Sequence, residues 1–370
     1  FNRTGEIFVQ DVDRAWLILS KARLRSDDLR ALLEQHGSAV GIVSLPRSKL
    51  PEALRDAIAK PDDAAIDRDL VWQEADGNHL VHPDSPDYPE LLRLIPGAPT
   101  LLYVVGNREA LNLPSLAIVG SRNPTRGGEQ NAFEFSKHLG SCGFVIVSGL
   151  AQGIDTAAHD GALAGSAMTV AVLGHGIDRV YPAVNRKLAH RIAASGALVS
   201  EYPLGTAPLK AHFPQRNRLI SGLSLGTLVV EAARQSGSLI TARLASDQGR
   251  EVFAIPGSIH NPLSRGCHRL IREGAKLVES AEDIVNELGS LAGHLMQNST
   301  ADSDEPPAVT LDDDYQSLLD AMAHDPATAE ELAGRSGLTI AQVSSMLLIL
   351  ELEGRIETQS GGRYSQLRKK

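Results

Sequence analysis

Seven short apolar runs lie between Ser115 and Glu279, and each stops at a cluster of small or polar residues. They are Leu116–Val119, Val145–Val147, Thr169–Leu173, Ala197–Val199, Thr227–Val230, Val252–Ile255 and Lys276–Val278. Stretches of helical composition separate them. That alternation predicts an α/β fold, a Rossmann-like core whose parallel sheet is buried on both faces. Ligands of such sheets bind beyond the carboxyl ends of the strands. This edge is expected to hold Gly120–Arg122, Ser148–Gly153, Gly174–Gly176 and Gly237 with Ser238. Small residues let a backbone approach an anion and leave N–H groups free at helix starts, so the edge reads as a phosphate seat.

Net charge argues at first against a nucleic-acid partner, at −9 for 370 residues. Its distribution argues the other way. Residues 301–370 carry 6 Lys and Arg against 13 Asp and Glu, whereas residues 115–290 carry 17 against 14. A local basic surface matters for phosphate binding more than the whole-chain sum. The length suggests two or three domains. Cys142 and Cys267 stand apart and outside metal-ligand spacing, which predicts reduced thiols in a cytoplasmic protein, with no metal and no cofactor. Phe1 opens no signal-peptide pattern and no run is long enough to span a bilayer, so no membrane insertion is expected.

Four regions are expected. Residues 1–75 read as a helical domain of the SAM or helix-hairpin-helix kind, with Ser26–Asp28 as a helix start and Gly37 as a stop. Paired helices of this sort can hold a DNA backbone, but packing is the favoured reading. Residues 76–290 form the sheet domain, and its proline-rich opening, Val81 to Gly106, should lie extended against the sheet. Residues 291–310 read as a linker. Residues 311–370 read as a winged helix: helices over Tyr315–Ala323, Ala329–Arg335 and Ile340–Glu351, then a hairpin of Arg355–Thr358 and Arg363–Gln366 about Gly361 and Gly362. The third helix has no Lys or Arg and only Gln342 suits a base contact, so a protein-contact role is favoured over DNA reading.

The chemistry concentrates in four motifs. Arg122 stands at a strand-ending turn where a dinucleotide fold has small residues, and its guanidinium can fork onto a phosphate. Ser148, Gly149 and Gly153 offer an anion seat; Asp155 and His159 just beyond read as structural. Lys210, Arg216 and Arg218 surround Phe213 within nine residues, with Pro208 and Pro214 expected to keep the first half of the segment out of a helix. Cations for a backbone beside a ring for a base are what single-stranded nucleic acid needs; the alternative is a salt-bridged loop with Phe213 in the core, and the concentration of basic groups at the expected ligand edge favours binding. Glu231 closes a strand before Gly237 and Ser238, either as a catalytic carboxylate or as the partner that holds Arg216 or Arg218. No Gly-x-x-x-x-Gly-Lys loop, His-Glu-x-x-His or nucleophile elbow is present.

In this order, these motifs resemble the DNA-processing protein A (DprA/Smf) family of bacterial natural transformation. The likeness runs from Val81 to Leu288 and includes Tyr181-Pro182, the Phe213–Gly222 run and Ala254–Gly257. It implies a non-catalytic, sequence-independent binder of single-stranded DNA that loads RecA recombinase and displaces single-strand-binding protein. It places the DNA pocket on Arg122, Ser148, Gly149, Lys210, Phe213, Arg216, Arg218, Gly237 and Ser238, with Gly153 and Ser221 in the same runs. It also implies a homodimer, with Leu270 and Ile271 as the expected contact. The rival reading is a nucleotide hydrolase of the Lonely-guy type using Arg216 and Glu231. Against it, Ser221–Leu225 stands where those enzymes carry a Pro-Gly-Gly stretch.

Overall fold

The computed structural model describes residues 9–289, apart from 23 and 25, and scattered positions between 318 and 366. The chain forms two compact units, Phe1–Thr300 and Ala301–Lys370. All seven expected runs are strands of one sheet: β3 (Ser115–Val119), β4 (Val145–Ser148), β5 (Thr169–Leu173), β6 (Ala197–Ser200), β7 (Gly226–Val229), β8 (Glu251–Ala254) and β9 (Lys276–Leu277). Two more precede them, β1 (Asn78–Val81) and β2 (Leu102–Gly106). The order is β1-β2-β6-β5-β4-β3-β7-β8-β9.

The sheet is therefore mixed where a purely parallel one was expected. β2 runs antiparallel to β6, and β1 to β2, inside the segment assigned only to extended chain. The short, proline-interrupted segment hides its strands from a hydrophobic-run search. β9 departs from the expected burial too, both its residues being exposed at the sheet's end.

Helices α7 (Arg126–Ser141), α8 (Ile154–Ala164) and α9 (Arg186–Ser195) join β3 to β6; α10 (His212–Gly222), α11 (Ser238–Asp247) and α12 (Arg265–Arg272) join β6 to β9. The chain steps from β3 out to β6, returns across the sheet to β7 and steps on to β9, and right-handed crossovers in these opposite directions put the two sets on opposite faces. The switch point, where ligands of such sheets collect, falls between β3 and β7. At the other end of the chain, helices α1 (Val9–Ser20) through α5 (Asp63–Gln73) cover β2, β5, β6 and α9; Trp16, Ile42, Leu54 and Ile66 share one core with Tyr103, Leu173 and Ile192. The helical segment thus packs on the sheet, as favoured from sequence.

In the second unit, a helix Ala329–Ser336 and strands Ala327–Thr328, Ile356–Gln359 and Arg363–Gln366 surround a core that includes Leu318, Leu332, Val343 and Leu350. The hairpin pairs Ile356 with Gln366 and Gln359 with Arg363, as the two Gly residues predict. The linker, Gln342 and most of the third expected helix lie outside the described residues.

Candidate nucleic-acid interface

Three loops build the carboxyl edge. The turn after β3 carries Ser121 and Arg122. Gly153, the residue before α8, seals it with φ +81°, a left-handed conformation that favours glycine; a Cβ there would stand 2.5 Å from the Ser121 carbonyl oxygen. Ile154 N–H then donates to that same oxygen. Arg122 is exposed, and its guanidinium carbon lies 5.8 Å from the centre of the Phe213 ring.

Phe213 is half-buried against Gly174 at the end of β5. It lies in the first turn of α10, contrary to the expectation that proline excludes a helix here. Pro214 follows within that first turn, where its missing N–H would have had no partner anyway. Lys210 is exposed just before the helix.

The other two cations of this segment are not free. Arg216 is only 4% exposed; one guanidinium nitrogen donates to the Gly149 oxygen at 2.8 Å and also to the Val172 oxygen. Gly149 leaves room for this arrangement, because a Cβ on it would meet Arg216 nitrogens at 2.7 Å and an Asp155 carboxylate oxygen at 2.8 Å. Burial pushes the Arg216 guanidinium down to about 10, opposed by Asp155. Burial raises Asp155 in turn, opposed by Arg216 and by N–H groups at Ala151 and Gly149. His159, beneath them, accepts or donates at Thr169 Oγ1 over 2.7 Å and is pushed down to about 3, first by burial and then by Arg216.

Arg218 grips Glu201 with both terminal nitrogens, at 2.6 and 2.5 Å, and donates from Nε to the Gly97 oxygen at 2.9 Å. Glu231, offered from sequence as the partner of these arginines, instead accepts from Thr125 N–H at 2.8 Å and Thr125 Oγ1 at 2.7 Å. It thereby fixes the cap of α7. Arg216 and Glu231, the pair required by a hydrolase, are committed to different partners.

Two serines expected at the edge are inside. Ser148 Oγ donates to the Ile118 oxygen at 2.6 Å, and Ser221 is fully buried within α10 with Asn217 and Arg218 oxygens as its partners. Gly237 and Ser238 open α11 beside the switch point; Gly237 is exposed, and Ser238 Oγ pairs with Ser236 Oγ at 2.7 Å. Leu270 turns into the core from α12, while Ile271 stays half-buried at the surface. The edge thus unites Arg122, Gly149, Gly153, Phe213 and Arg216. Sequence reasoning missed Glu201, an acid at a strand's carboxyl end, and Asn185, whose only signal was a polar residue opening a helix.

Among the described residues there is no His, Cys, Asp and Glu cluster fit for a metal, and no helix is long and apolar enough to cross a membrane. Residues 79–289 match the family model for DNA recombination-mediator protein A, and residues 302–362 match that for the DprA winged helix domain. Protein Smf of Escherichia coli is 42% identical over 309 residues, covering 82% of each chain. The DNA processing protein DprA of Streptococcus pneumoniae is 50% identical over 200 residues, covering 54% of this chain and 71% of the relative. The X-ray structure of the pneumococcal protein superposes with a TM-score of 0.67 at 38% identity, covering 76% of this chain and 99% of that one. A Helicobacter pylori DNA processing protein A structure, which concerns that protein's single-stranded DNA binding mode, gives 0.52 at 31% identity, covering 57% of this chain and 96% of that one. With its sheet domain, its winged helix and relatives matched over most of their length, the chain belongs to the DNA recombination-mediator protein A family.

Proposed function

We propose that this chain binds single-stranded DNA along the carboxyl edge of its sheet, without reading sequence and without consuming the strand, and presents it to a RecA-type recombinase. The observation that carries this reading is the exposed Arg122 guanidinium 5.8 Å from the Phe213 ring, with exposed Lys210 three residues before that ring in the chain. The exposed cations take phosphates and the ring accepts the face of any base, while Gly149 and Gly153 let the loops beneath pack closely enough to hold them in place. A duplex hides its base faces and is bound more weakly. The Helicobacter pylori relative's single-stranded DNA binding and the shared family support the same reading. Displacement of single-strand-binding protein and a place in transformation or another recombination task belong to the same proposal, as does a cytoplasmic setting.

The homodimer is proposed through the α12–β9 end of the sheet. Leu270 faces inward, so the contact rests on Ile271 and on Leu277, which is 49% exposed on the edge strand. Fluorescence anisotropy of a labelled mixed-sequence strand, beside a duplex of the same sequence, tests the DNA reading. The expected result is clear single-strand preference; equal affinity for the two forms sinks it. Incubation with nucleoside monophosphates and assay for released base tests the hydrolase alternative, with no release expected.

A further inference from the structure

The edge displays a second ring, more open than Phe213. Tyr181 is 50% exposed, and its ring centre lies 5.8 Å from that of Phe213 with the planes at 42°. The two rings are in tilted contact, so a base cannot enter between them without parting them, and each offers its own outer face. Phe213 is flanked by Arg122 and Arg216 and rests on Gly174, which leaves Tyr181 the larger open surface.

The loop that carries Tyr181 is pinned. Buried Asn185 donates from Nδ2 to the Leu150 oxygen at 2.9 Å, the Ala151 oxygen at 3.3 Å and Thr156 Oγ1 at 3.0 Å. Leu150 holds φ +58°, a conformation that side chains other than glycine adopt at a cost, and the Asn185 clamp captures its carbonyl. The Ser148–Gly153 loop and the Tyr181 loop are therefore one unit. Past Tyr181 stand Val184, 69% exposed, and then Arg186 and Lys187, both exposed on the first turn of α9. Along the chain, apolar surface followed by open cations repeats the pattern of ring and charge that single strands use.

We propose that Tyr181 is a second base-stacking residue, which takes the nucleotide adjacent to the one on Phe213 while the backbone passes on to Arg186 and Lys187. The inference rests on the single-strand reading above and deepens it. The test compares wild type, Tyr181→Ala, Tyr181→Phe, Lys210→Ala and Phe213→Ala. Each binds mixed-sequence strands that carry one 2-aminopurine at successive positions, a probe whose fluorescence falls when it stacks. Tyr181→Ala is expected to bind roughly tenfold more weakly and to restore fluorescence at one position next to that restored by Phe213→Ala. Tyr181→Phe keeps both affinity and quenching. Wild-type affinity and quenching in Tyr181→Ala overturns the proposal, as does an equal loss in Tyr181→Phe, which would mean that the ring is not what binds. Unchanged affinity in both Lys210→Ala and Phe213→Ala would instead bring down the single-strand reading, and this subsite with it.

Discussion

The lip and the floor of the carboxyl edge are made from the same kinds of residue and do opposite work. On the lip, Arg122 and Lys210 are exposed. On the floor, a few residues along the same segment as Lys210, Arg216 is buried beside Asp155 and Arg218 is locked to Glu201. Arg216 spends one terminal nitrogen on two protein oxygens, with Asp155 as its nearby counter-charge and Nε left without a partner, and Arg218 spends its nitrogens on Glu201 and Gly97, so the floor cations are already committed to the protein. An exposed one keeps its donors for a ligand. Within one cluster of cations, burial separates those spent on the protein from those still open to solvent.

That division can be broken most forcefully at Arg216. Arg216→Met leaves the buried Gly149 and Val172 oxygens without their donor and Asp155 without its neighbouring positive charge, and we expect a loss of about 3 kcal/mol of folding stability in urea unfolding. Unchanged stability with a reduced salt dependence of DNA binding would put Arg216 on the lip after all. Arg218→Ala leaves Glu201 unpaired in a half-buried site; the expected loss is about 2–3 kcal/mol, with the salt dependence of binding unaltered.

The floor should also declare itself through pH. The unfolded chain protonates His159 near the usual value of 6.5, whereas the folded chain holds it neutral down to about 3. The unfolded state therefore binds more protons between those limits, and stability falls as pH is lowered through that window, by up to about 1.4 kcal/mol per pH unit. Asp155, raised by burial, acts in the opposite sense between its unfolded and folded values, so the comparison must be made against a variant. Urea midpoints at pH 6.5 and 5 should differ less in His159→Gln than in wild type; equal differences would mean that the buried imidazole is not the cause.

The smallest effect belongs to the lip. Lys210→Ala and Arg122→Ala should each lower the slope of log affinity against log salt by about one, without loss of stability. Loss of stability in either would move that residue to the floor.

Much of this was legible in the chain. The strands from β3 to β8 announced themselves because a sheet covered on both faces demands continuous apolar runs, and Gly153 and Arg122 stood at the carboxyl edge, where sheets of this kind take their ligands. The antiparallel β1 and β2 were not legible, being short and set among prolines. Nor was the fate of Ser148 and Ser221: a hydroxyl suits an anion seat and a buried backbone oxygen equally well, and the partner, the Ile118 oxygen for Ser148, is 30 residues away in sequence. The pairing of Arg218 with Glu201 was hidden for the same reason.

By itself the sequence determined the α/β architecture, the edge at which a ligand would sit and the residue types gathered there, because these follow from periodicity and local turn chemistry. The tertiary structure alone decided which cations face solvent, which acid answers each arginine, and that Tyr181 stands beside Phe213. Those outcomes depend on distances between loops that are remote along the chain, and electrostatic and stacking energies are set by such distances and by burial, not by order in the sequence.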